Sequence, residues 1–413
     1  MRPTALAARL ELRRAAAFRV AAAAVAHTLW TSAAPALTYP LYAARWHLTA
    51  LATTGMFAVY PVLVVLTLLV FGNLSDRVGR RVVLLAGISA SLAGVLLFAA
   101  APGVAWLFAG RALMGLGVGL SAGPATAALV EFSAPGQQAR ANVVATAATA
   151  SGMALAMLLG GVLIQYAPWP LHLNFIVLAG VLATLLSFVW FLPRPDAAAR
   201  ATAPAWRPAS LAVPRALRRV FTASATAVTA GYALCALMLS LGAQIARDLV
   251  GSSNAAVNGA VLTLLALATG VTAVVARRVS GPRAIDAGAA SALLALGLLL
   301  LAATQRSLSL FLLASTLSGV GYSLLFLGGL TLINAHAPAR HRAGTLSAVY
   351  LVGYLMMGAI ALTLGAVATR AGLQRALDAG AATIALLALA AAASGRRAGL
   401  ASGLPHRQRG VPT

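Results

Sequence analysis

Two side chains able to do chemistry lie deep inside otherwise uncharged stretches of this 413-residue chain, His27 and Arg111. A histidine, with a reference pKa of about 6.5, suits reversible proton binding, and it suits equally well a packed position bonded to a neighbouring carbonyl. An arginine in an apolar helix costs about 3 kcal/mol or more unless it meets water or a partner. Arg111 therefore either serves coupling or substrate binding or is tied to backbone carbonyls. None of the seven acids falls in the middle of an apolar run, and no cluster of His, Cys or acids shares one depth. The single cysteine, Cys235, has no partner and reads as a small packed residue. A membrane-embedded enzyme, a metal site and a bound cofactor are not expected. No phosphate-binding loop appears, so ATP is not the expected energy source.

The elements that hold these residues follow from composition. The chain is 61% hydrophobic and 9% charged, with a mean hydropathy of +0.90. Soluble proteins are about 45–50% apolar and about 25% charged. Runs without any charged residue include 20–44, 82–110, 141–193, 220–246, 249–276, 307–339 and 343–369. About 20 apolar residues span a bilayer, so the 141–193 run holds two helices. The runs do not alternate as barrel strands would. The expected fold is an all-α membrane protein with twelve transmembrane helices, at 18–44, 50–71, 82–101, 104–130, 142–166, 171–192, 219–245, 254–276, 284–304, 307–333, 344–369 and 376–395. Ala-Pro-Gly at 101–103 and Pro168 with Pro170 mark turns between spans. The Arg-rich start leads into a full span without a small-residue cleavage site, so the first helix is expected to stay as an anchor.

All 30 basic residues are arginine. With the N-terminus cytoplasmic, 24 of them fall on inside segments and 5 on outside loops, with Arg111 the remainder. That bias puts both termini in the cytoplasm. Spread over seven segments, the arginines form no stripe for nucleic acid. Ala and Arg richness without lysine fits a GC-rich bacterial genome and a bacterial inner membrane. Residues 194–218, rich in Arg, Pro and Ala, read as a cytoplasmic linker between a half at 1–193 and a half at 219–395, with a tail at 396–413. The halves match at an offset near 203. Pro135 aligns with Pro338, Gly115-x-Gly117 falls near Gly319-x-Gly321, and Gly79-Arg80-Arg81 meets Gly281-Pro282-Arg283. Duplication of a six-helix unit is the expected origin.

Between the second and third spans stands Gly72-Asn-Leu-Ser-Asp76-Arg77-Val-Gly79-Arg80-Arg81. It resembles the loop motif G-x-x-x-D-[RK]-x-G-[RK]-[RK] of the major facilitator superfamily at every defined position. Arg111-Ala-Leu-Met-Gly115-Leu-Gly117 resembles that family's helix-4 pattern. On helix 5, Gly160-Gly161 keeps the paired glycines of proton-driven exporters without the Gly-Pro before them.

The resemblance implies secondary active transport by alternating access, and a latch in which Asp76 caps the start of helix 11 near Gly344-Thr345 in the outward-facing state. Arg77, Arg80 or Arg81 would hold Glu131, while the second-half counterpart of Asp76 is Arg278. Helices 1, 4, 7 and 10 line the cavity in this family, which points to Trp30 and Thr31, Tyr232 and Gln244, and Tyr322 and Phe326. Proton-coupled efflux (antiport) of amphipathic, drug-like compounds by a monomer is the expected function. Uptake of an organic acid is the alternative, and a non-transporting receptor or scaffold a minor one.

Overall fold

The computed structural model describes residues 12–134, 136–193, 211 and 213–402. Their regular structure is helical. The long helices are α1 (Arg14–Ala33), α2 (Ala50–Phe71), α3 (Arg80–Ala99), α4 (Val104–Glu131), α5 (Gln138–Tyr166) and α6 (Leu173–Val189). They continue with α7 (Arg218–Ser240), α8 (Ala255–Val275), α9 (Gly281–Gln305), α10 (Leu308–His336), α11 (Ala339–Ala371) and α12 (Leu373–Ser402). Among the described residues ten helices are long and apolar enough to cross a membrane. α6, at 17 residues, is shorter, and α1, with Arg14, Arg19 and His27, is not among the ten.

Several expected boundaries move, each for a local reason. The first span is not one helix over 18–44. α1 stops at Ala33, and a short helix, Tyr39–Trp46, follows after a turn. Pro35 has no N–H for the helical ladder, and Thr38 folds back onto its carbonyl through N–H (3.0 Å) and Oγ1 (2.8 Å). α7 ends at Ser240, ahead of Gly242, where the helical preference is weakest. The chain then forms a turn at Gly242–Gln244 and a π-helical turn at Ile245–Leu249. α11 begins at Ala339 rather than 344, directly after Pro338, whose ring cannot continue a ladder but can precede one. α12 continues to Ser402, so residues 396–402 are helix and not tail. Most of the expected linker (194–210 and 212), the rest of the tail (403–413) and Pro135 lie outside the described residues.

Packing separates the helices into two groups. α1 to α6 pack among themselves, chiefly α3 on α4, α1 on α5 and α2 on α4, and α7 to α12 do the same, chiefly α9 on α10 and α7 on α10. The main contacts between groups are α2 with α11 and α5 with α8. Small residues set these distances, as expected where apolar lipid gives helices no hydrophobic reason to associate. A methyl at Gly115 would lie 2.7 Å from the Tyr60 carbonyl on α2, while Gly117 faces Ser91 on α3. In the second group Gly319 faces Leu265 on α8, and Gly321 lies against Ala292 on α9. The two Gly-x-Gly pairs thus do the same job at the same place in each group.

Candidate functional site

Arg111 is the largest fully buried side chain of the described residues. The glycine-lined face of α4 brings it against α1 and α2. There its Nε donates to the Met56 carbonyl (3.3 Å) and its Nη1 to the Ser32 carbonyl (3.0 Å). The guanidinium lies over the Tyr60 ring, 4.5 Å from its centroid, with Phe57 at 6.0 Å. Its Nη2 has no partner. Of the two readings the sequence left open, the carbonyl bonds are present, and an unused donor edge remains beside them. Such an edge is an uncompensated feature in a buried cation.

His27 is buried one turn before Thr31 on α1. Its Nδ1 bonds the Ala24 carbonyl of its own helix (2.5 Å), and its Nε2 is unpartnered. Thr31 Oγ1 is also buried without a partner, and Trp30 beside it keeps part of its surface. Both nitrogens of a proton carrier need not be bonded at once, so the spare Nε2 leaves that use geometrically open.

The second group supplies a wall of rings. Tyr232 on α7 stacks with Tyr322 (6.1 Å between centroids) and tilts against Phe326 (5.7 Å) on α10. It also meets Tyr354 on α11 at 4.9 Å, and Phe326 meets Tyr350 at 6.1 Å. Tyr322, Phe326, Tyr350 and Tyr354 all remain partly exposed. Tyr60, on α2, lies under the Arg111 guanidinium, and α2 packs against α11, the helix that carries Tyr354. Tyr60, Tyr350 and Tyr354 are not among the residues expected from the sequence, because they lie on α2 and α11 rather than on helices 1, 4, 7 and 10. The i, i+4 spacing of Tyr350 and Tyr354 was the available signal. Gln244 is not part of the wall. It was expected on helix 7, but the break after Ser240 puts it in the following turn, near the short helix Tyr39–Trp46.

The two ends of the bundle differ. At the end away from the loop motif, hydrogen bonds join the groups: Leu51 N–H to Thr369 Oγ1 (2.9 Å), Ala255 N–H to Gln165 Oε1 (2.8 Å) and Arg247 Nη1 to the Pro40 carbonyl (3.3 Å). Gly161 on α5 and Gly259 on α8 are in contact there, so that a methyl on Gly259 would lie 3.0 Å from the Gly161 Cα. Gly160 faces Asn174 on α6 instead. At the motif end the ion pairs among the described residues stay within one group. Arg80 on α3 pairs with Glu131 at the end of α4, and Arg396 on α12 pairs with Asp286 on α9 (3.0 Å). Arg81 donates to the Leu192 carbonyl (3.2 Å) and lies over Trp190.

Gly72 closes α2, and Gly79, with φ +94°, turns the chain into α3, a conformation that favours glycine. Asp76 and Arg77 are exposed, and the Asp76 N–H donates to the Asn73 carbonyl (3.3 Å) while its carboxylate makes no hydrogen bond or ion pair with the described residues. The expected cap on α11 is absent from this conformation. Its named partner also changes, since Gly344-Thr345 lies in the second turn, where Thr345 is buried and its hydroxyl bonds the His341 carbonyl (2.8 Å). Instead a cavity of 210 Å³ opens beside Asp76, Arg80, Arg81 and Glu131.

Comparison with known proteins places these features in a wider set. The model of the Major Facilitator Superfamily matches residues 20–362. A puromycin resistance protein, pur8 of Streptomyces alboniger, is 38% identical over 104 residues, a stretch that covers 25% of this chain and 20% of that protein. The chain therefore spans well under two thirds of that relative. Among solved structures, the peptide transporter POT in complex with sulfate superposes with a TM-score of 0.75 at 18% identity, covering 95% of this chain and 98% of that one. A mutant of the nucleoside transporter NupG gives 0.73 at 13%, covering 92% and 99%. A bacterial homologue of the human lysosomal transporter Spinster, inward-facing and unoccupied, gives 0.67 at 12%, covering 93% and 98%. At these identities the structures speak for the fold alone.

Proposed function

The chain belongs to the Major Facilitator Superfamily, and we propose on that premise that it moves a small organic solute by alternating access, as two six-helix halves derived from one duplicated unit. The observation that carries this reading is the asymmetry of the bundle. The halves are joined by hydrogen bonds at one end, while the charged pairs at the motif end stay within each half. With both termini cytoplasmic, as the arginine bias supports, the conformation described is inward-facing. The site lies between Arg111 and the ring wall, close to the midplane where such halves meet. Proton-coupled efflux of amphipathic compounds is the reading we favour, in keeping with the short match to a puromycin resistance protein. Uptake of an organic acid is the second reading, favoured by a buried cation with no acid at its depth.

Flux into proteoliposomes under an imposed pH gradient tests the proposal. Accumulation that collapses with the gradient is the expected result, and flux indifferent to it removes the proton. A cytoplasm-only fluorescent reporter fused to Thr413 should light up. A dark fusion together with an active periplasmic reporter would overturn the orientation.

The loop motif is proposed as a latch for the outward-facing state. Asp76 is unpartnered here and free to meet the start of α11, now at Ala339, when the motif end closes. A helix-end interaction contributes about 0.3–1 kcal/mol when exposed and up to about 2 when partly buried. Asp76→Asn should therefore leave the conformation described intact and reduce crosslinking between cysteines at the motif ends of α2 and α11. Crosslinking and flux equal to wild type would make Asp76 a loop charge only.

A further inference from the structure

We propose that the transported solute carries a single negative charge on an aromatic body, with the anionic group taken by the free Nη2 edge of Arg111 and the body laid against the Tyr232 and Tyr354 rings. The proposal rests on the transport reading above. Its first support is an imbalance of charge. Arg111 is a fully buried cation whose partners are two neutral carbonyls and a ring, and whose Nη2 has no partner. The described acids cannot answer it. Asp76, Glu131 and Asp286 lie at the motif end, and Asp248 and Asp378 lie toward the opposite end. A counter-charge at this depth must arrive with a ligand, because a guanidinium without one is among the least favourable groups to bury.

The second support is the set of donors around it. Thr31 Oγ1, next in sequence to the Ser32 carbonyl that holds Arg111, is buried and unpartnered, and so is the Tyr39 hydroxyl. Two hydroxyls and a guanidinium edge are donors that a carboxylate, with up to four lone pairs, can satisfy together. An ammonium would set a like charge beside the guanidinium and has no lone pair to offer these donors.

The third support is the body that the neighbouring surface prefers. Tyr60 stacks on Arg111 from α2, which packs on α11, and Tyr354 of α11 meets Tyr232, whose ring lies against the partly exposed Phe326 and Tyr322. Rings offer offset and edge-to-face contacts to another ring beyond what an aliphatic body gains. In the conformation described the guanidinium is enclosed, so the anion reaches it as the halves rearrange, and binding and conformational change are then linked.

The test compares isosteres on the purified full-length protein in lipid nanodiscs, by thermal shift and by titration. The probes are benzoate, 2-naphthoate and 4-biphenylcarboxylate, each beside its neutral amide and its aminomethyl cation. A carboxylate should bind at least about tenfold tighter than its amide, the scale of one hydrogen bond to a charged group. Arg111→Gln should erase that preference while sparing the amide, and Tyr354→Ala should weaken all three forms together. Equal or tighter binding of the amide or cation, no binding of any carboxylate, or a carboxylate preference that survives Arg111→Gln would each overturn the inference. Flux of neutral or cationic aromatics without carboxylate binding would keep the transport reading and remove this one. Arg111-dependent carboxylate binding without flux of any probe would do the reverse.

Discussion

Arg111→Met is expected to lower transport by at least about tenfold at equal expression, in a protein as thermally stable as wild type or more so. The two halves of this expectation have different causes. Methionine is close to the arginine stem in shape and carries no charge, and replacing buried ions by apolar residues of similar volume is often neutral or stabilising by about 1–4 kcal/mol. The carbonyls of Ser32 and Met56 lose their donors, but neither is left as an isolated charge. Function has no such substitute, because the only formal charge at this depth among the described residues is gone. Arg111→Lys should rescue poorly. A single ammonium cannot bond both carbonyls while presenting a flat face to Tyr60. Flux measured beside a thermal melt separates the effects. Unchanged flux in Arg111→Met would assign the arginine to structure, and a collapsed melting temperature would mean that its carbonyl bonds hold the fold.

Gly259→Leu should force the protein out of the conformation described. Around Gly259 the nearest atoms are backbone, the Met157 carbonyl and the Gly161 Cα, with Leu37 next, and backbone of two packed helices cannot swing aside as a side chain can. Overpacking costs about 1–3 kcal/mol, and 1.4 kcal/mol is about tenfold in an equilibrium, so the closed end should open by about fivefold to a hundredfold. In a Cys235→Ala background, a cysteine at Asn258, which is buried in the conformation described, should react faster with a membrane-impermeant thiol reagent when Gly259 is leucine. Flux should fall, since a transporter held in one state does not cycle. Gly180→Leu is the control, because nothing lies within 4 Å of a methyl there. Equal reactivity in the two variants would mean that α5 and α8 can separate without changing state.

The hydrogen bonds at that closed end explain why so little of it was visible beforehand. Gln165 accepts from the first N–H of α8, 90 positions away, and Thr369 accepts from Leu51, 318 away. Glutamine and threonine near helix ends are common, and nothing in their type or spacing names such distant partners. The glycine pair was legible as close packing on helix 5. That Gly161 faces the other half, while Gly160 faces Asn174 within its own, depends on how α5 is rotated.

What the amino-acid sequence determined by itself was whatever rests on local composition. Uncharged runs of bilayer length make helices, prolines and glycines mark most of their ends, and the loop motif with the Arg111 helix pattern carries the family to which the chain belongs. Even local rules missed where Pro35 and Gly242 act, since each break falls inside a continuous apolar run that hydropathy cannot divide. Only the tertiary structure decided which groups meet. It set Arg111 on two carbonyls with one edge unused, brought Tyr354 of α11 against Tyr232 of α7, and left Asp76 exposed without the α11 contact that the motif implied. The physical reason is that lipid-facing and partner-facing surfaces are equally apolar in a membrane protein. Hydropathy therefore says that a helix is buried, and the fit of small residues against backbone decides what it is buried against.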